Sequence, residues 1–199
     1  MNIPFPTKKY SILYADPPWN YNDKRTKPGP KGNKAGGAAN HYSTMTLQEI
    51  KDLPVKDITE KDSILFLWAT FPNIQVALDV VAAWGFKYKT IGFNWVKTSK
   101  SGRPAIGVGH YTRANAEVCL IGIKGKPKVV DHSISNIIMA PREEHSKKPD
   151  AVRDLIVRLV GSLPRIELFA RQTAPGWDCW GDEAPITQMI PIEVIEREN

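Results

Sequence analysis

Cysteine is scarce in this chain. Cys119 and Cys179 are the two it has, each in an apolar or aromatic stretch, and their number leaves no disulfide framework to build on. The four histidines, His41, His110, His132 and His145, fall at spacings unlike any zinc site, so metal catalysis is disfavoured and no metal ligand is expected. No run approaches the ~20 apolar residues of a membrane span. The opening Met1-Asn2-Ile3-Pro4-Phe5-Pro6 lacks the basic and apolar regions of a signal peptide, so no membrane partner and a cytoplasmic, reducing compartment are expected. There is no P-loop, no G-x-G-x-x-G and no G-x-S-x-G, which removes the common nucleotide-binding and serine-hydrolase signatures. No internal repeat is visible.

What the chain does have is positive charge. Its formal net charge is +6, a balance that favours a polyanionic partner such as nucleic acid. The charge is gathered in loops. Residues 22–41 carry Lys24, Arg25, Lys27, Lys31 and Lys34 against one acid, with four glycines and two prolines, and show no apolar periodicity. This composition predicts a long functional loop whose cations neutralise phosphates. A second basic loop, 98–115, brings Lys100, Arg103, His110 and Arg113, and a third contains Lys147 and Lys148.

Between the loops, strand and helix patterns alternate. Ser11–Ala15, Ser63–Ala69, Lys87–Val96, Ala116–Ile123 and Arg165–Ala170 are strand-length apolar runs. Thr46 and Glu49 form a capping box for a short helix ending before Pro54. Ile74, Ala77, Leu78 and Val81 keep helical spacing up to Gly85, and Val152, Leu155, Ile156 and Leu159 keep it from Pro149 to Gly161. Val129–Glu144 is poorly periodic. The alternation predicts an α/β fold with a mostly parallel sheet covered on both faces. A single domain over residues 1–183 is expected, with 184–199 as a tail, either a terminal helix or an extension.

The most distinctive segment is Asp16-Pro17-Pro18-Trp19, directly after the first strand. Ligands of α/β folds sit outside the carboxyl ends of strands, where this segment would lie. A carboxylate accepts from N–H donors, and two prolines hold the Pro17 carbonyl in a stiff position. A tryptophan face can stack a nucleobase for ~1–3 kcal/mol. The four residues suit a flat, weakly nucleophilic amine.

Further segments place a resemblance on this motif. They are His41-Tyr42-Ser43-Thr44-Met45, Leu65-Phe66-Leu67-Trp68, Trp95-Val96-Lys97-Thr98, Glu117-Val118-Cys119-Leu120-Ile121-Gly122, His145-Ser146-Lys147-Lys148-Pro149-Asp150 and Ile166-Glu167-Leu168-Phe169-Ala170-Arg171. Gly176-Trp177 and Gly181-Asp182-Glu183 complete the set. In this order, over Tyr10 to Glu183, the chain resembles the MT-A70 family of S-adenosylmethionine-dependent adenine N(6)-methyltransferases in a short bacterial or phage form.

The resemblance implies a Rossmann-like methyltransferase fold with the catalytic motif ahead of the cofactor strand. It implies S-adenosyl-L-methionine as cofactor, S-adenosyl-L-homocysteine as product, and adenine in nucleic acid as substrate. DNA is preferred, because a compact stand-alone form suits a modification enzyme; RNA is the alternative, and a catalytically silent nucleic-acid-binding subunit a second one. Asp16, Pro17, Pro18 and Trp19 would be catalytic, with Trp19 or its neighbours stacking the base. Asp16, Lys148, Arg171, Gln172, Thr173, Asp182 and Glu183 would meet the cofactor, Lys148 at its methionine carboxylate. Tyr42, Trp95, Glu117, Lys24, Arg25, Lys27, Lys31, Arg113 and Lys147 would lie on the substrate side. Gln172, Thr173 and Ala174 depart from the His-Asn pair of eukaryotic members, and Asp182-Glu183 from an amide pair. Because a related family subunit works in a pair, a homodimer is also an expectation.

Overall fold

In a computed structural model, the structure describes residues 3–19, 45–99, 101–105, 107, 111–142, 147–182 and 184. The 22–41 loop, Tyr42, Glu183 and the tail beyond 184 lie outside them.

Seven strands form one sheet in the order β5-β3-β4-β2-β1-β6-β7. They are β1 (Tyr10–Ala15), β2 (Thr59–Ala69), β3 (Lys87–Thr98), β4 (Ala116–Lys124), β5 (Ile137–Pro141), β6 (Arg165–Leu168) and β7 (Asp178–Trp180). Among the described residues three α-helices accompany them: α1 (Leu47–Asp52), α2 (Ile74–Ala83) and α3 (Ala151–Val160). Four of the six strand pairings are parallel, as the alternating pattern predicts. The exception is β4, antiparallel to both β2 and β3. No helix is assigned in the β3–β4 connection among the described residues, and without such a crossover the chain returns as a hairpin.

Strand alternation sorts the apolar side chains into two cores. Leu13, Ala15, Leu65 and Leu67 face one layer, closed by Ile50 of α1 and Ala77, Val80 and Val81 of α2. Ile12, Tyr14, Phe66 and Trp68 face the other, closed by Val152, Ile156 and Val160 of α3. The sheet is thus covered on both faces, which is why the 64–69 part of β2 reads as an unbroken apolar run, while Glu60, Lys61 and Asp62 before it are exposed. The Thr46–Glu49 capping box is present, each partner bonding the other's backbone N–H. Gly85 and Gly161 end α2 and α3 at φ of 83° and 87°, backbone that favours glycine.

Four strands differ from the sequence pattern. β2 starts at Thr59, four residues early, because Thr59 pairs with Tyr10. β5 arises within the poorly periodic 129–144 stretch, and it is an edge strand with Ile137 and Met139 exposed, so its pattern is blurred. β6 stops at Leu168, because Phe169 takes a left-handed φ of 61°; the N–H of its neighbour Ala170 then donates to the Trp180 carbonyl at 3.0 Å. β7 carries no periodic signal at three residues.

Candidate active site

The parallel register puts the carboxyl ends of β1, β2, β3, β5, β6 and β7 on one edge, with the amino end of β4 beside them. β1 leads to β2 on one side and pairs with β6 on the other, so the sheet order reverses there. Such a switch point opens a crevice between the chain segments leaving the two strands. Asp16 leaves β1 at this crevice, and Phe169-Ala170-Arg171 leaves β6.

The turn after β1 is built as its prolines predict. Trp19 N–H donates to the Pro17 carbonyl at 2.8 Å, closing a three-residue turn around Pro18. That carbonyl has a second lone pair to offer. The Trp19 ring, however, is 6% exposed and packed in the core, its Nε1 donating to the Trp68 carbonyl at 3.0 Å. The expectation that Trp19 stacks a base is therefore corrected: its ring pins the turn to β2. Trp68 is pinned in turn, its Nε1 donating to the Tyr14 hydroxyl at 2.8 Å.

Asp16 is half-buried, and its Oδ2 accepts from Lys148 Nζ at 2.7 Å. The same ammonium lies 3.2 Å from Glu117 Oε2 and over the Trp68 ring at 5.6 Å. Glu117 Oε1 accepts from Lys97 Nζ, which lies over the Trp95 ring at 4.9 Å. Burial alone would raise the Glu117 carboxyl, but Lys148 and Lys97 hold it below the ordinary carboxylate range. Burial likewise opposes charge on Lys148, and Asp16 and Glu117 overcome it, raising its pKa. Lys148, expected at the cofactor's methionine carboxylate, stands between two carboxylates of the protein. Trp95, expected on the substrate side, is 1% exposed with its Nε1 donating to the Ala140 carbonyl at 3.0 Å, so its ring is core beneath Lys97.

A second polar cluster lines the α3 side of the crevice. Arg153 grips Glu167 with two bonds, Nε to Oε2 at 2.6 Å and Nη2 to Oε1 at 3.1 Å, and reaches Asp150 Oδ1 at 2.6 Å. Asp150 also accepts from Lys147 Nζ at 2.5 Å and from Gln172 Nε2 at 3.3 Å. Burial pushes the Glu167 carboxyl up, and Arg153 only partly offsets it. Gln172, Thr173 and Asp182 are exposed, and Arg171 is half-buried. Gly181 brings β7's exit against that of β6: a Cβ there would stand 2.2 Å from the Ala170 carbonyl. Arg171 and Asp182 thus leave the sheet side by side. Arg113 is exposed on the approach to β4.

Sequence reasoning passed over Lys97, Trp68, Arg153 and Glu167 as site members. A charged residue inside the apolar run Arg165–Ala170 was the available signal for Glu167. Among the described residues, no group of three or more His, Cys, Asp or Glu could hold a metal ion, and no helix is long and apolar enough to cross a membrane.

Comparison with known proteins bears on this edge. The family model MT-A70 matches residues 10–183. Type II methyltransferase M.MunI from a Mycoplasma species is 38% identical, covering 98% of this chain and 86% of that protein. The human N(6)-adenosine-methyltransferase catalytic subunit METTL3 is 27% identical, covering 95% of this chain and 30% of that protein. An N(6)-adenosine-methyltransferase MT-A70-like protein of Arabidopsis thaliana is 29% identical, covering 91% of this chain. The chain spans 24% of that plant protein's length.

Proposed function

This chain belongs to the MT-A70 family, and from that premise we propose that it methylates the exocyclic N(6) amine of adenine in nucleic acid, DNA in preference to RNA. The observation that carries the reading is Asp16, placed at the sheet's switch point with its carboxylate oriented by Lys148. The preference for DNA rests on degree of similarity: the relative named a type II methyltransferase is 38% identical, against 29% and 27% for the two named for adenosine, the ribonucleoside.

The amino lone pair of adenine is delocalised into the ring and is a poor nucleophile. Asp16 and the remaining lone pair of the Pro17 carbonyl accept its two N–H bonds and draw the nitrogen toward tetrahedral geometry. Held by Lys148, Asp16 serves as an orienting acceptor more than as a base, and the proton the amine must lose on gaining a methyl group departs to solvent. Positioning supplies the rest of the rate. S-adenosylmethionine, when bound, supplies a methyl group activated on a sulfonium. The crevice between Asp16 and the 169–173 and 181–182 segments fits it: a carboxylate for the sulfonium's positive charge, and Asp182, Gln172 and Thr173 exposed for its hydroxyls and purine. Arg171 and Glu183 complete the proposed set. Base stacking falls to Tyr42, since the Trp19 ring is taken by the core.

The test is incubation of the purified chain with a labelled methyl donor and matched DNA and RNA oligonucleotides, followed by identification of the product nucleoside. N(6)-methyldeoxyadenosine is expected. Asp16→Ala is expected to remove transfer while the chain still folds, with some loss of stability because Lys148 keeps only one of its two carboxylates; a mutant that still transfers would overturn the mechanism.

A further inference from the structure

We propose that Lys97 is a positioning residue for Asp16, acting through Glu117 and Lys148 without touching substrate. The inference rests on Asp16 being the acceptor for the target amine. Four charges alternate along the sheet edge in the order Lys97, Glu117, Lys148, Asp16, two cations and two anions in balance. Glu117 gives one oxygen to each lysine, Oε1 to Lys97 and Oε2 to Lys148. Lys148 is the member of the row that reaches Asp16, at 2.7 Å, against 3.2 Å to Glu117. The middle of the row is the most buried, with Glu117 and Lys148 side chains each 9% exposed.

The row is held in place from behind. Lys97 and Lys148 lie over the faces of Trp95 and Trp68, and those two rings pack edge to face at 6.4 Å. The Lys97 backbone is fixed on both sides, its N–H donating to the Asn115 carbonyl and its carbonyl accepting from Ala105 N–H. Glu117 faces Trp95 across the β3–β4 ladder, two positions from Lys97. Removing the Lys97 charge leaves a buried carboxylate with a single cation, the one it shares with Asp16. Buried charge left uncompensated is costly, so Lys148 is drawn toward Glu117, and the Asp16 carboxylate is released from the bond that fixes its rotation.

The experiment is a double-mutant cycle on the full chain, assayed with S-adenosylmethionine and unmethylated plasmid DNA. Lys97→Met is expected to lower kcat by about ten- to a hundredfold, the scale of a small misplacement of a reacting group, with KM for donor and DNA within about twofold. Lys97→Arg is expected to restore most of kcat. In a Glu117→Gln background, where the buried anion is gone, Lys97→Met is expected to cost little further. Equal losses in both backgrounds, or a raised KM for DNA with kcat unchanged as for a simple phosphate contact, overturn the proposal. A second measurement needs no turnover: carboxylate NMR of the Lys97→Gln protein should show the Glu117 titration moved up and the Asp16 resonance shifted relative to the parent. An unmoved Asp16 resonance refutes the coupling. If the parent methylates neither polymer, the functional reading fails, while the NMR arm still decides the coupling.

Discussion

At the scale of single residues, the site depends on how few side chains are left to themselves. Glu117 shows this through pH. Its carboxyl is held below the ordinary range in the folded protein, so it contributes stability above the unfolded value of about 4.3 that is lost as pH falls through the folded one. Lys148, raised in the fold, contributes stability that is complete below about 10.4 and is lost as pH rises through its folded value. A plateau of thermal stability between these limits is expected, and Glu117→Gln should flatten its acid flank; an unchanged flank in thermal melts against pH would place the acid sensitivity elsewhere. Trp19 marks what sequence can and cannot say at this scale. Its place in the motif was legible, but its burial is set by Trp68, 49 residues away on another strand.

At the scale of elements, the exits of β6 and β7 are joined tightly. Phe169 holds a left-handed backbone, at a cost of ~1–3 kcal/mol for a non-glycine residue, with its ring 5.5 Å from Trp180 and 6.5 Å from Trp84. Gly181 lies directly against the Ala170 backbone. Gly181→Ala would drive a methyl into it, so a destabilisation of about 1–3 kcal/mol in denaturant unfolding is expected. Weaker donor binding should accompany it, read by calorimetry, because Arg171 and Asp182 move apart. The five main strands and all three helices were legible, since each carries an apolar run, a helical spacing or a cap of its own. β5 and β7 were not: one is an exposed edge and the other three residues long, and both exist through their neighbours. The antiparallel β4 was equally invisible, because hydrophobic period says nothing of direction.

At the scale of the molecule, a net charge of +6 and a crevice whose carboxylates are paired with lysine and arginine divide two tasks, long-range attraction and local orientation. Neutralising Lys24, Arg25, Lys27, Lys31 and Lys34 together should weaken DNA binding and flatten its dependence on salt, by about 0.9 in logarithmic slope for each phosphate no longer neutralised. Titrations at several salt concentrations measure this; an unaltered slope would remove the loop from the interface. The central place of β1 has a consequence in time. It is paired by β2 on one flank and by β6 on the other, so its second flank waits for the far part of the chain. Asp16 leaves the ribosome 132 residues before Lys148, the side chain that orients it. The acid at the heart of the site is made early and becomes competent late, and a nascent chain broken off before α3 would carry the signature motif without its chemistry.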